Sequence, residues 1–573
     1  VARKTPIPDR EAQAKAEIGH THLSRAQAAV LAGVFLAVLV SVPALQHLRD
    51  WREFAAGRRA SAWPQAWEIF GALPKAAKVF STESGSAWQR TLAANNVLLE
   101  SVTRYEDTLE DEALLGRAVL PPTQATLSRL GVGNEKAYIG RDGWLFFRPD
   151  VDYVTGHNFL APDRLRKRAQ SGSQWQKPPQ PDPVLAIVDF QKQLAARGIE
   201  LILVPAPTKA TIHPEKFSTR YSMATPALQN PGFAPFLAAM KVAGVRVFDP
   251  APLLVAAKSS GAVETYLATD THWTPKGAAL VADGLAKFIN DAMKLPPRPA
   301  AGFKTALLSV TNLGDIAVML KLPADQKRFT PQAVEIASVS NARNELWRED
   351  PTSDVLFLGD SFCNIYSLGA MGWGEGAGLV EQLSLRLQRP LDAILRNDAG
   401  AFATRAQLAA ELARGRDRLA GKKLVIWEFA ARELAVGDWK LIEMKVGQPV
   451  PSSFLTLKAG EAREVVATVE MVSPAPRPGS VPYKDHVIAA HVTWPEKSAG
   501  GKTVMLAAVV YLQSMKDNVW TDAARLRIGQ QVALKLRAWS DVSNQYERLN
   551  RSDLDDADLA LQDPLWGEIL TKP

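Results

Sequence analysis

The spacing of apolar residues changes several times along this chain, and the changes mark its parts. Ala26 to Leu45 is apolar apart from Gln27 and Ser41 and carries no charge. That run is close to the ~20 residues a helix needs to cross a bilayer. Residues 50–135 read as mostly helical with polar amphipathic faces. Tyr138 to Phe147 reads as a hairpin, with Arg141-Asp142-Gly143 as its turn and Trp144 to Phe147 as its second strand. Ser171 to Pro183, rich in Gln, Pro and Ser, reads as a loop.

From Pro183 the texture becomes α/β. Val184, Ile187, Val188 and Leu194 are spaced as one helical face, and Gly198 is placed to end that helix. Ile199 to Val204 is a short apolar run, interrupted only by Glu200, fit for a buried parallel strand. A helix near Pro235 to Ala243 stops at Gly244, and Val245 to Phe248 is the next strand. Thr274-Pro275 opens a further helix, Thr as N-cap and Pro at the first helical position, running to about Ile289. Residues 293–350 break the alternation and read as an insertion. It resumes with a strand at Asp354 to Leu358, a helix with Leu379, Leu383 and Leu387 on one face, and a strand at Leu391 to Leu395. Thr404 and Gln407 have capping-box spacing for another helix, and Leu424 to Phe429 is the last strand. Strands alternating with helices predict a parallel sheet with covered faces.

After about residue 440 the pattern turns to β. Val465 to Val472, Val487 to Trp494, Val504 to Leu512 and Gln531 to Ala538 are strand-like, with Pro/Gly loops between them. The parts are thus a tail over 1–25, an apolar anchor over 26–48, a helical linker over 49–135, an α/β domain over 136–440 with its insertion at 293–350, and a mainly β accessory domain over 441–573.

Charge and composition narrow the function mainly by exclusion. The net charge of +7 over 573 residues is spread along the chain without a Lys/Arg block, so nothing points to nucleic acid. Cys363 is the only cysteine, so no intrachain disulfide forms. Zinc-site spacing, a Walker A loop and a GxGxxG fingerprint are absent. Basic residues flank the apolar run on both sides, Arg3, Lys4, Arg10, Lys15 and Arg25 before it and Arg49, Arg52, Arg58 and Arg59 after it. Counting them does not orient the helix. Val42-Pro43-Ala44 resembles a signal-peptidase site, but the long tail before the helix favours an uncleaved anchor.

The chemistry gathers in two short blocks. Gly359-Asp360-Ser361-Phe362 follows a strand end, where active sites of open α/β sheets collect. Asp270-Thr271-His272-Trp273 lies on a loop before the capped helix. Ser361 needs a base to become a nucleophile, His272 is that base, and Asp270 can accept the other ring N–H and fix the tautomer. Asp360 reads as a structural acceptor for loop N–H groups and Cys363 as a small buried side chain. Tyr366 and Trp373, after the nucleophile, and Lys209 and His213, after an earlier strand, are candidate substrate contacts.

These blocks resemble the SGNH (GDSL-like) hydrolase superfamily and, more closely, the alginate O-acetyltransferase family that modifies exopolysaccharides. Tyr138 to Phe147, Pro205-Ala206-Pro207-Thr208-Lys209 and Gly314-Asp315-Ile316 also resemble that family's recurring segments. Ordinary SGNH chains carry the serine block first and the histidine block last; here the order is reversed. The resemblance therefore implies a circularly permuted SGNH-like parallel sheet flanked by helices, with residues 183–290 supplying the late strands and 353–434 the early ones. It also implies an oxyanion hole from the N–H groups of Ser361 and Gly400. Arg432 stands near the position of the superfamily's missing Asn and is either a third donor or a structural ion pair.

The implied activity is transfer of acetyl groups to hydroxyls of a polysaccharide through an acyl-enzyme on Ser361, without metal or cofactor. The acetyl group would come from a membrane-bound O-acyltransferase partner. The implied location is the inner membrane, single-pass, with the catalytic domain in the periplasm. Two other readings use the same residues differently: an esterase that removes acetyl groups, and a non-catalytic polysaccharide-binding scaffold in which the β domain dominates.

Overall fold

Strands that are apolar at every position need cover on both faces, and in the computed structural model they have it. The structure describes residues 24–55, 69–82, 86–171, 178–261, 263–397, 400–447, 454–476, 481, 483–497, 503–547, 549–554, 556, 559 and 562–570. The first strands in chain order are β1 (Ala137–Ile139), β2 (Leu145–Phe147), β3 (Glu200–Ala206), β4 (Arg246–Val247), β5 (Lys304–Asn312), β6 (Gln332–Ser340), β7 (Val355–Gly359), β8 (Asp392–Leu395) and β9 (Leu424–Ala430). Five of them form one parallel sheet in the order β4-β3-β9-β7-β8. Side chains alternate between its faces. Ile202, Val204, Val355, Phe357, Leu424 and Ile426 join one core, and Leu201, Leu203, Leu356, Leu358, Val425 and Trp427 the other.

The pairing of β3 with β9 settles the topology. It joins strands that come early in this chain to strands that come late, in a single sheet, as the permutation requires. Helices Pro183–Ala195 and Pro275–Ala292 cover it, both begun by a capping side chain followed by Pro. Thr274 accepts from the Gly277 N–H at 3.0 Å, a cap worth about 1 kcal/mol. Gly198 stands at φ +70° where the first of these helices ends, a conformation that favours glycine. The capping box at Thr404 and Gln407 does not form. A tight turn over Gly400–Phe402 leads directly into helix Ala403–Ala413, so Thr404 is already inside the helix and buried.

Within the 293–350 stretch, β5 and β6 form an antiparallel hairpin, with the short helix Asp315–Met319 between them. The last strands are β10 (Ala462–Val472), β11 (His486–Lys497), β12 (Thr503–Lys516), β13 (Val519–Trp520), β14 (Gln531–Ala538), β15 (Asn550–Ser552) and β16 (Leu565–Ile569). Pairings β12-β16, β16-β14, β14-β10, β10-β11 and β11-β12 close on themselves. The result is a five-stranded barrel around Val469, Ile488, Ala490, Val492, Val510 and Leu534, with no free edge in the ring.

The chain divides into two compact units, Val1–Leu120 and Pro121–Pro573. The sheet, hairpin and barrel belong to the second. In the first, helix Arg25–Ala55 contains a span long and apolar enough to cross a membrane, with Val30, Phe35 and Val40 exposed. Helices Ala72–Thr82 and Ala87–Glu112 pack together. The basic residues Arg3, Lys4, Arg10, Lys15, Arg58 and Arg59 lie outside the described residues.

Candidate active site

Ser361 owes its position to the end of β7. Asp360 turns the chain and caps the helical turn Ser361–Asn364, its Oδ1 accepting from the Phe362 N–H at 2.8 Å. Its Oδ2 accepts from the Ala430 N–H at 2.8 Å, which ties the turn to the end of β9. Asp360 is thus the structural acceptor its place suggested. Below it, Glu428 accepts from the Asp360 N–H at 2.9 Å and from the Cys363 thiol at 3.1 Å. Burial, then the Asp360 charge, pushes Glu428 well above the usual carboxylate range. Burial and the nearby carboxylates push the Cys363 thiol up as well, so it is a buried thiol rather than a nucleophile.

The histidine loop meets the serine there. His272 Nε2 is 2.8 Å from Ser361 Oγ, and His272 Nδ1 is 2.7 Å from Asp270 Oδ1. A carboxylate only accepts, so Nδ1 carries the ring proton and Nε2 faces the serine hydroxyl as acceptor. Phe362 packs against the imidazole, ring centroids 4.8 Å apart. Asp270 is buried, and burial alone would raise its pKa. The His272 hydrogen bond and charge outweigh that, aided by the N–H groups of Trp373 and Asp315, and hold it down at about 2. Burial likewise works against the imidazolium, but the charges of Asp270, Asp315 and Asp360 leave His272 above its ordinary value.

The candidate substrate contacts fall elsewhere. Tyr366 is fully buried and donates to the Trp273 carbonyl at 2.8 Å, so it is core. Trp373 is also fully buried, but its Nε1–H donates to Asp270 Oδ2 at 2.9 Å, which orients the acid rather than a sugar. Lys209 is buried with its ammonium on the carbonyls of Leu145 (2.8 Å) and Ala268 (3.1 Å). Burial lowers it to about 8 against the pull of Asp270, Asp315 and Asp150. His213 sits between Glu215 and Thr265, also buried. None of the four is placed to touch a polymer.

Arg432 is paired with Asp150, donating from Nη1 to Oδ1 at 3.0 Å, and lies over the Phe147 ring. Gly400 has φ +69°, with Glu433 so close that a Cβ would stand 2.8 Å from its Oε2. Asp398 and Ala399, beside it, lie outside the described residues. Asp270, His272 and Asp315 offer the one group of donors among the described residues spaced for a metal ion, within 4.8 Å of one another. Both ring nitrogens of His272 and both oxygens of Asp270 are engaged in hydrogen bonds, as a proton-transfer chain needs.

Asp315 is the residue sequence reasoning left without a role. Its segment was one of the recognisable blocks, and its carboxylate lies against the histidine loop, Oδ1 accepting from the Thr271 N–H at 2.7 Å.

The family model described as "SGNH hydrolase-like domain, acetyltransferase AlgX" matches residues 137–431, or 295 of 573 residues. The chain belongs to this family. Among curated relatives, a probable alginate O-acetylase AlgJ of Pseudomonas aeruginosa is 34% identical over 191 residues, 33% of this chain and 42% of the relative. A protein of the same description from Azotobacter vinelandii is 29% identical over 171 residues, 30% of this chain and 42% of the relative. The chain thus spans less than half the length of these relatives. Solved structures to which the chain is similar include the O-acetyltransferase domain of Pseudomonas putida AlgJ (21% identity, TM-score 0.40, 53% of this chain and 93% of that one). Pseudomonas aeruginosa AlgX is another (19%, 0.35, 70% and 90%). The AlgX-family match covers the sheet and both motif blocks, the β5–β6 hairpin included.

Proposed function

We propose that this AlgX-family chain is a serine O-acetyltransferase that acetylates hydroxyls of an exopolysaccharide. The observation that carries the reading is the unbroken hydrogen-bond chain Asp270–His272–Ser361, with links of 2.7 and 2.8 Å at the mouth of a parallel sheet. Ser361 Oγ attacks the acetyl carbonyl while His272 Nε2 takes its proton. The tetrahedral oxyanion is met by the N–H groups of Ser361 and Gly400 and by guanidinium N–H groups of Arg432 that Asp150 does not hold. Ser361 opens a helical turn, so its N–H has no intrahelical acceptor. Collapse expels the donor's leaving group, which takes the proton from His272, and leaves acetyl-Ser361. A sugar hydroxyl then loses its proton to His272 and attacks the ester; the O-acetyl sugar departs and Ser361 recovers the proton.

Helix Arg25–Ala55 anchors the enzyme in the inner membrane with the catalytic domain in the periplasm. There a membrane-bound O-acyltransferase supplies the acetyl group. The relatives' names point to alginate as the acceptor class.

The test is purified full-length protein with 4-nitrophenyl acetate as donor and oligouronate as acceptor, read by mass spectrometry of the sugar. Acetylated sugar is expected. Acetate release with no acetylated sugar makes the chain an esterase instead. The pH profile follows from His272. Imidazolium cannot act as base, so the rate rises as pH passes upward through the His272 pKa. Because the surrounding carboxylates raise that pKa, the acid limb should lie above the ordinary imidazole value of 6.5. A limb centred below 6.5 in a pH–rate series contradicts the field the carboxylates impose.

A further inference from the structure

The insertion is fastened to the histidine loop more tightly than a surface hairpin needs. Gly314, at φ +92°, runs so close to Thr269 that a Cβ would lie 2.5 Å from its carbonyl oxygen, so both space and conformation require glycine. The Thr269 hydroxyl donates to the Leu313 carbonyl, and the Ala317 N–H donates to the Thr269 carbonyl at 3.2 Å. Asp315 completes the clasp in both directions. Its N–H donates to Asp270 Oδ2 at 3.0 Å, and its Oδ1 accepts from the Thr271 N–H at 2.7 Å. That leaves Oδ2 4.0 Å from His272 Nδ1, on the side where the imidazolium charge develops. From the opposite direction, Asn312 donates to the Met371 carbonyl at 3.1 Å, two residues before the tryptophan that orients Asp270.

We propose that Asp315 is a positioning residue of the active site, a second carboxylate that holds the Asp270–His272 loop and adds its charge to the field on His272. The proposal rests on the serine mechanism above and deepens it, because it makes the insertion part of the catalytic apparatus.

The charged groups around Asp315 are Asp270 and His272 on the histidine loop and Lys209 on helix Lys209–Ile212. Asp150 lies beyond Lys209, and Asp360 faces His272 from the serine turn. Burial, then the Asp270 charge, raises Asp315 to about 6, while His272 and the Thr271 hydrogen bonds pull it down. Above that range it is ionised, and a charge about 4 Å from an imidazole favours its protonated form.

Asp315→Asn separates the two parts of the role. The amide oxygen still accepts from Thr271, and the backbone N–H to Asp270 is untouched, so a bracing function alone leaves the variant like wild type. The experiment is a histidine titration of the full-length protein by NMR, with the His272 signal assigned by its loss in His272→Gln. In Asp315→Asn the apparent His272 pKa is expected to fall by about one unit. The rate of 4-nitrophenyl acetate cleavage is expected to fall about tenfold in kcat with KM within about twofold, the acid limb moving to lower pH. An unchanged His272 titration overturns the proposal. Where Asp315→Asn does not fold, Asp315→Ser serves in its place, since its hydroxyl can accept from the Thr271 N–H without carrying a charge, and an unchanged His272 titration in it likewise overturns the proposal. The titration is read without turnover. Loss of Ser361-dependent cleavage in wild type therefore removes the serine mechanism and leaves the Asp315 result legible.

Discussion

Replacing Ser361 with alanine is expected to stop acetyl transfer, lowering kcat by about 10⁴-fold or more while the protein stays folded. The magnitude follows from the proposed mechanism, in which Ser361 Oγ carries the acetyl group. The oxyanion donors and the bound substrates remain, but direct attack by a sugar hydroxyl lacks the covalent route. Folding should be indifferent, because the turn is held by Asp360 to the N–H groups of Phe362 and Ala430, and the serine side chain is only partly buried. Intact-protein mass spectrometry after brief mixing with 4-nitrophenyl acetate should show one added acetyl group in wild type and none in Ser361→Ala. A variant that still forms acetylated sugar at more than about a hundredth of the wild-type rate would remove Ser361 from the mechanism.

What the sequence made legible depended on the range of the signal. The strands at 199–204, 354–358 and 424–429 were readable because a strand covered on both faces is apolar at nearly every position, each of these holding a single acid, Glu200, Asp354 or Glu428. The Thr274-Pro275 cap was readable because a cap is local. Thr404 and Gln407 had the right spacing for a cap, but a tight turn starting at Gly400 had already begun the helix, and spacing does not reveal where the preceding turn begins. The reversed order of the two blocks was the most useful long-range signal, since it demanded the β3–β9 pairing that the sheet contains.

The candidate site was legible in the hydrogen-bonded trio Asp270, His272 and Ser361 and illegible in what surrounds them. Tyr366, Trp373 and Lys209 were sought as substrate contacts because they follow the nucleophile or a strand end. Chain position near a site does not say whether a side chain faces the cleft or the core. Trp373 lies 103 positions from Asp270 yet supplies one of its hydrogen bonds. Asp315 lies between β5 and β6, 45 positions from Asp270, and although Gly314-Asp315-Ile316 was recognisable as a segment, its spacing does not say that it meets the acid. Closure of the barrel was equally hidden. Strand pattern shows which residues face inward, whereas closure depends on which strands pair.

The surroundings of Asp270 lead to the second large effect. Asp270→Asn is expected to lower kcat by about 10³–10⁴-fold with little change in KM, although it alters a single atom. Asp270 Oδ2 accepts from Trp373 Nε1–H at 2.9 Å and from the Asp315 N–H at 3.0 Å, while Oδ1 accepts from His272 Nδ1–H. On the Oδ1 side the His272 backbone N–H also donates, at 3.1 Å. The ring nitrogen beside it can change from donor to acceptor, whereas both partners on the Oδ2 side can only donate, so in the variant the amide oxygen takes the Oδ2 side. The NH₂ group is thereby turned toward His272, where it donates to Nδ1 and forces the ring proton onto Nε2. That nitrogen then faces Ser361 as a donor, and the base is lost. The same geometry says why the effect should exceed that of Asp270→Ala, which leaves the tautomer free. Nitrogen-15 shifts of the His272 ring should report the switched proton directly, alongside the rate. An asparagine variant within tenfold of wild type, or one whose Nδ1 still carries the proton, would show that Asp270 does not govern the base.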